Sequence, residues 1–155
     1  MQHIDNTLWG PALWMLLHSS AERFGTKALH RLPQEESRIW SHLLLSLRFS
    51  LPCPHCKKHY QTYLSQYPFS ARSRDEVRIW LYRLHDTVNQ RLQKAHTLSL
   101  TEVEEKYSEP FCFSKHRGDF IEQVRVAVQQ GWCSHIDMGN TYRALEEMKR
   151  FYDFF

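Results

Sequence analysis

The sequence predicts an all-α protein, and three observations support this prediction. Residues at the spacing i, i+3, i+4 and i+7 form one face of a helix, as Trp14, Leu17, His18 and Ala21 do. No alternation of apolar and polar residues is long enough for a sheet, and there is no internal repeat or low-complexity tract. With 155 residues, 42% of them hydrophobic, the chain is long enough for one compact domain with its own core.

Two helices are predicted before residue 52. The first opens at Trp9-Gly10-Pro11, because proline is tolerated in the first turn of a helix. The second opens at Pro33, where two glutamates follow and favour a helix N-terminus through the dipole. Its apolar positions keep helical spacing up to Leu51-Pro52, where we expect it to end; they are Ile39, Trp40, Leu43, Leu44 and Leu47.

Three further helices have clear start signals. Pro54 suits a first helical position, so a third helix running to about Tyr67-Pro68 should have Cys53 at its mouth. Ser73 with Glu76, and later Ser99 with Glu102, match the capping-box pattern. They predict a long fourth helix and a short fifth one.

Beyond the fifth helix, Pro110 and Gly118 are predicted to break the chain. Two amphipathic stretches follow, with a connection from Gly131 to Gly139 between them. Their apolar positions are Phe120, Val124 and Val128 in one, and Tyr142, Leu145, Met148 and Tyr152 in the other. The sequence therefore predicts a small helical bundle with a C-terminal helical extension.

Composition and charge argue against several classes of protein. The formal net charge is +3, and basic residues are interspersed with acidic ones rather than massed in one run, so nucleic acid is not an expected partner. Residues 1–7 are polar, and no window approaches the roughly 18 apolar residues that a membrane span needs. We expect a soluble intracellular chain without a secretory signal. Four cysteines are too few for a disulfide scaffold, so active thiols are the better interpretation.

The Cys-Pro-His-Cys pair, Cys53 and Cys56, is the main candidate for chemistry. A helix N-terminus stabilises the thiolate, which is the reacting form of cysteine, and the neighbouring His55, Lys57, Lys58 and His59 add positive or protonatable groups. Two other interpretations stay open. One is a zinc site of Cys53, Cys56 and His59 with Cys112 or Cys133, and the other is a thioredoxin-like exchanger, which requires a strand before the pair.

Polar side chains interrupt the apolar face of the fourth helix. His85, Val88, Asn89 and Leu92 share one face of it. Buried polar groups need partners, and the adenine, ribose and pyrophosphate of a dinucleotide supply them. The 14% aromatic content suits a flat ligand stacked among rings.

These residues resemble the Erv/ALR flavin-linked sulfhydryl oxidases. Three ordered motifs carry the resemblance over residues 9–94: W-G-P-x-x-W-x-x-L-H from Trp9 to His18, L-P-C-x-x-C-x-x-H from Leu51 to His59, and W-x4-H-D-x-V-N-x-x-L-x-K from Trp80 to Lys94. The short N-terminus and the Leu-Pro before the cysteines are similar to the compact versions that large DNA viruses encode.

The resemblance implies an all-α fold, in which a four-helix bundle plus a short fifth helix binds FAD noncovalently, usually in a homodimer. The implied division is a FAD-binding bundle, residues 1–110, and a C-terminal helical extension, residues 111–155, packed on the bundle or at the dimer interface. Catalysis is assigned to Cys53 and Cys56, with no metal. The cofactor-binding residues carried over are Trp9, Gly10, Trp14, His18, Cys56, His59, Tyr63, His85, Val88, Asn89, Leu92 and Lys94.

The implied reaction is the oxidation of protein dithiols by O2, with disulfides and hydrogen peroxide as products. A substrate thiolate attacks Cys53, Cys56 leaves, and the electrons pass to FAD and then to O2. The implied partners are protein dithiol substrates or a redox shuttle protein. A viral member would act in the host cytoplasm, at a virus assembly site or in the virion.

The sequence departs from the family pattern at three places. Asp86 stands where the family has asparagine, so an amide donor is lost, and Phe24 offers a ring without a hydroxyl. Cellular members carry a second cysteine pair just beyond the cofactor helix, whereas Cys112 and Cys133 come later and further apart. For these two cysteines a structural bridge, a shuttle pair and two inert buried thiols all stay open.

Overall fold

The computed structural model describes residues 3–27 and 33–155, which form seven α-helices and no strand. The all-α prediction is confirmed, and each predicted helix is present. None of the described helices has the length and apolarity to cross a membrane. The helices are α1 (Asn6–Ala21), α2 (Pro33–Ser50), α3 (Pro54–Gln66), α4 (Arg74–Arg91), α5 (Leu100–Tyr107), α6 (Phe113–Gln129) and α7 (His135–Tyr152).

Side-chain caps fix the starts of several helices. Ser99 and Glu102 form a complete capping box at α5, and the Ser73 hydroxyl at α4 accepts a hydrogen bond from the Glu76 N–H at 3.2 Å, both as predicted. Ser134 caps α7 in the same way. These contacts satisfy backbone N–H groups that have no partner within the helix.

The predicted start of the first helix is wrong. α1 begins at Asn6, where the Asp5 carboxylate accepts a hydrogen bond from the Thr7 N–H at 2.9 Å, so Pro11 lies in the second turn. Proline has no N–H to donate to the carbonyl of Thr7 four residues earlier. Thr7 is exposed, so water can hydrate that carbonyl, and the helix tolerates the proline.

The break predicted at Gly118 is also wrong, and so is the end of the connection predicted at Gly139, because these two residues lie inside α6 and α7. A glycine in a helix interior costs only about 1 kcal/mol, and burial of the apolar face of α6 outweighs that cost, since Phe113, Phe120 and Val124 have no exposed surface. The chain turns instead over residues 130–134.

The C-terminal helices share one core with the bundle. α6 packs along α1 and α7 packs along α2, where Leu145 and Met148 are fully buried. A polar contact reinforces this packing: the Tyr152 hydroxyl donates to Glu36 Oε2 at 2.5 Å and accepts from Trp40 Nε1 at 2.9 Å. The division into residues 1–110 and 111–155 stays a prediction.

Candidate active site

The cysteine pair lies at the start of α3. Cys53 is the N-cap in extended conformation, Pro54 is the first helical residue, and Cys56 lies in the first turn, so the predicted position of the pair is confirmed. The backbone N–H of Cys56 donates to Cys53 Sγ at 3.2 Å. Both side chains are half-buried free thiols. A helix N-terminus and a backbone donor are the local features that stabilise a thiolate.

Burial works against ionisation of the second cysteine. It raises the pKa of Cys56 to about 11, and the hydrogen bond with Cys53 raises it too. The guanidinium of Arg91 acts in the opposite direction, because its Nη2 lies 3.6 Å from Cys56 Sγ. The charge state of this sulfur therefore depends on a residue from α4.

Cys56 faces a cavity of about 170 Å³, here named the sulfur cavity. α1, α2, α3 and α4 all contribute to its lining. The predicted cofactor residues in the lining are Trp9, Gly10, Trp14, Cys56, His59, Val88, Asn89, Leu92 and Lys94.

A second cavity of about 230 Å³, here named the histidine cavity, adjoins the first. His85 and Lys106 line it, and Asn89 and Lys94 line both cavities. The two volumes together fall in the range of about 300–1,000 Å³ that is typical of small-molecule sites. The two adjoining cavities are together named the cleft; Cys56 lines one of them, and Lys94 and Lys106 line the other.

Four planar side chains are stacked on one another, and three of them line the cleft, namely Trp14, His85 and Tyr107. Trp14 and His85 are parallel, with ring centroids 3.9 Å apart and an interplanar angle of 10°. His18 stacks on His85 at 5.1 Å and on Tyr107 at 4.7 Å, and His18 Nε2 lies 3.0 Å from His85 Nδ1. Rings in offset stacks of this kind offer a flat, apolar wall to another planar group.

Both histidines of the stack are neutral near pH 7. Burial lowers the pKa of His18 to about 3, helped by His85 and Lys106. Burial also lowers the pKa of His85 to about 4, helped by Lys94 and Lys106. The positive charge at this end of the cleft therefore comes from the lysines, which suits an anionic group such as phosphate.

The structure departs from the predicted site at two residues. Tyr63 lies outside the cleft: it is buried, and its hydroxyl donates to the Trp80 carbonyl at 3.1 Å. It shares a face of α3 with Cys56 but lies seven residues, or about 10 Å, further along the axis. His18 is 2% exposed and supports His85 rather than lining either cavity.

Several lining residues have no counterpart in the predicted set. Arg91 could have been found from its spacing, since it follows Val88 by three residues and is a cation in the last turn of a helix. α5 adds Lys106 and Tyr107, which no motif connects to the cleft.

The donor set of the cleft fits a dinucleotide with one redox-active ring. The Nε of Arg91 is buried without a hydrogen-bond partner among the described residues, and Arg91 lines the sulfur cavity. Buried donors normally have a partner, so a ligand with acceptor atoms would satisfy it. Stacked rings and two lysines at the other end match the remaining parts of such a molecule.

The two alternative interpretations are not favoured. Within residues 3–27 and 33–155, no three His, Cys, Asp or Glu side chains come close enough together to bind a metal ion, so the predicted zinc ligands are not assembled. A thioredoxin-like exchanger needs a strand before the pair, whereas α2 extends to Ser50, three residues before Cys53.

The other two cysteines do not form a bridge within one chain. Cys112 precedes α6 and Cys133 follows it, and a 17-residue helix separates its ends by about 25 Å. A disulfide requires Cα atoms within about 7 Å. Cys112 is also exposed, so the interpretation as two buried thiols is wrong for it. Cys133 is buried beside Trp132, whose carbonyl accepts a hydrogen bond from Lys57 Nζ at 2.5 Å.

The fold and the cleft define a class: helical proteins that carry a redox-active cysteine pair beside a dinucleotide site. Residues 11–108 match the model of the Erv1/Alr family. The chain belongs to this family, as the motifs predicted.

The relatives include proteins of viruses, plants and yeast. An African swine fever virus protein named FAD-linked sulfhydryl oxidase is 31% identical over 115 residues, which are 73% of this chain and 92% of the relative. A Frog virus 3 protein is 30% identical over 89 residues, 57% of this chain and 59% of the relative. The FAD-linked sulfhydryl oxidase of Arabidopsis thaliana is 31% identical over 85 residues, 55% of this chain and 42% of the relative. No solved structure gives a significant match.

Proposed function

We propose that this chain is a flavin-dependent sulfhydryl oxidase, which oxidises protein dithiols with O2 and yields disulfides and hydrogen peroxide. One observation carries the proposal: Cys56, the second cysteine of a pair at a helix N-terminus, lines a cleft with stacked rings and lysines at its far end. Membership in the Erv1/Alr family supports the same activity.

FAD is the cofactor that the cleft would hold. The sulfur cavity would take the redox-active ring, with Trp9, Gly10 and His59 in its wall. The histidine cavity would take the adenosine part, with Asn89 at the junction of the two cavities and Lys94 and Lys106 near phosphate. When bound, FAD accepts the electron pair of the dithiol and passes it to O2, which no side chain can do.

The residues of the chain carry the thiol exchange. A substrate thiolate attacks Cys53 Sγ in the Cys53–Cys56 disulfide, forming one S–S bond while the bond to Cys56 breaks and Cys56 leaves as a thiolate. The second substrate thiolate then attacks the mixed disulfide and releases Cys53. The substrate has become a disulfide, and the cysteine pair has received two electrons.

Assembly and location are further parts of the proposal. We expect a homodimer, as the family resemblance implies, and sedimentation analysis of the purified chain would test it. The substrates are protein dithiols or a redox shuttle protein. The expected location is the cytoplasm of an infected host cell, a virus assembly site or the virion, and this expectation rests on the viral origin of several relatives.

The proposal is tested with the purified full-length chain. We expect a yellow protein that consumes O2 when a reduced dithiol protein is added. Cys53→Ser and Cys56→Ser should each abolish turnover of that substrate. Cys112→Ser should not, because Cys112 is an exposed thiol at the opposite end of α6 from Trp132, whose carbonyl contacts Lys57. A colourless protein, or undiminished O2 uptake by Cys56→Ser, contradicts the proposal.

A further inference from the structure

Arg91 is the last residue of α4, and it lines the sulfur cavity beside Cys56. Its Nη2 donates to Cys56 Sγ at 3.6 Å, and its Nε is buried without a partner among the described residues. Arginine is always charged in proteins. A permanent positive charge is therefore in contact with a sulfur whose ionisation is opposed by burial.

None of the other ionisable groups around the sulfur cavity provides a permanent positive charge in contact with Cys56. Of its lining residues, those from α1 and α2 are nonionisable. α3 contributes His59, whose pKa is lowered by burial and by Arg91, and Tyr60, whose hydroxyl donates to the Leu44 carbonyl. Lys94 follows α4 and is exposed. Cys53 itself shares the first turn with Cys56 and opposes its ionisation.

We propose that Arg91 stabilises the Cys56 thiolate that is released when a substrate thiolate attacks Cys53 of the Cys53–Cys56 disulfide. This inference rests on the proposed oxidase function. When the S–S bond breaks, its electron pair stays on Cys56 Sγ, and the guanidinium stabilises the resulting thiolate, while the substrate sulfur forms its new bond to Cys53. A leaving thiol departs faster when its pKa is lower.

The size of the effect follows from the geometry. An opposite charge within about 4–6 Å lowers a pKa by about 1–3 units. The pKa of Cys56 is about 11 with Arg91 in place, so removal of the charge should raise it further. The thiolate fraction at a given pH below the pKa should then fall about tenfold or more.

The test measures the pKa of Cys56 without any turnover. In a Cys53→Ser background, the rate of iodoacetamide alkylation of Cys56 is followed across pH by mass spectrometry. We expect Arg91→Met to raise the pKa of Cys56 by about one unit or more. Arg91→Lys keeps the positive charge, so its Cys56 pKa should stay close to that of the parent. Arg83→Met is the control, since Arg83 is exposed and two turns earlier on α4; it should match the parent.

Each result decides the inference. An unchanged pKa in Arg91→Met overturns it, and so does an Arg91→Lys variant that behaves like Arg91→Met, because charge would then not be the cause. If Arg91→Met does not fold by circular dichroism, Arg91→Gln gives the same readout. Failure of the oxidase proposal has a different signature: the parent would bind no flavin and consume no O2, whatever the pKa of Cys56.

Discussion

Replacement of Tyr152 by phenylalanine should destabilise the protein, because its hydroxyl fastens α7 to α2. That hydroxyl donates to the Glu36 carboxylate at 2.5 Å and accepts from Trp40 Nε1 at 2.9 Å. Tyr152 is 5% exposed, Glu36 7% and Trp40 0%, so water cannot easily replace either contact. Phenylalanine keeps the ring and removes only the oxygen.

Two costs add up in this variant. A hydrogen bond to a charged group contributes about 1.5–3 kcal/mol, and a buried donor left unpaired, here the Trp40 N–H, costs about 1–3 kcal/mol. We therefore expect Tyr152→Phe to lower the free energy of unfolding by about 3 kcal/mol.

Urea unfolding monitored by circular dichroism measures this difference, and the m-value should stay unchanged because the unfolding transition exposes the same surface. The matched control is Tyr142→Phe, on the same helix but 43% exposed, which should change the free energy of unfolding by less than about 0.5 kcal/mol. A Tyr152→Phe loss below about 1 kcal/mol would refute the assigned role of the network.

Three further predictions concern the cleft and the remaining cysteines. The pKa of His18 is lowered from 6.5 to about 3, so the folded protein loses stability as the pH falls below 6.5, by about 2 kcal/mol at pH 5. His18→Phe should flatten this part of the curve of unfolding free energy against pH. An unaltered curve would contradict the assignment of a lowered pKa to His18. Lys94→Met should weaken flavin binding about tenfold in a titration of flavin-free protein, and the difference from the parent should be smaller at high salt. If the variant and the parent bind flavin with equal affinity, the phosphates do not lie near Lys94. Mass mapping without reductant should find no peptide pair linking Cys112 to Cys133 in the monomer, because α6 lies between them.

The features that the sequence predicted best are those set by neighbours along the chain. Pro54 at the first position of α3 places Cys53 at the N-cap and Cys56 in the first turn, and only the local backbone is needed for this. The spacing of His85, Val88 and Asn89 on one helix face likewise follows from 3.6 residues per turn. Each of these three residues lines one of the two cavities, or both.

The features that the sequence did not predict depend on contacts between distant segments. Gly118 is helical because α6 buries its apolar face on α1, which local propensity does not register. Tyr63 shares a helical face with Cys56, but it lies further along α3, where its hydroxyl donates to the Trp80 carbonyl instead of lining the cleft. The contact between Arg91 and Cys56 joins α4 to α3, so it depends on how these two helices pack in the folded protein.

Anaerobic reduction of the purified protein tests the central claim most directly, namely that Cys56 delivers the electrons of a dithiol to a flavin in the cleft. After addition of dithiothreitol without O2, the visible absorption of the flavin should bleach in the parent and in Cys112→Ser, and persist in Cys56→Ser. Bleaching of Cys56→Ser at the parental rate, or a parent protein without flavin absorption, would contradict the account.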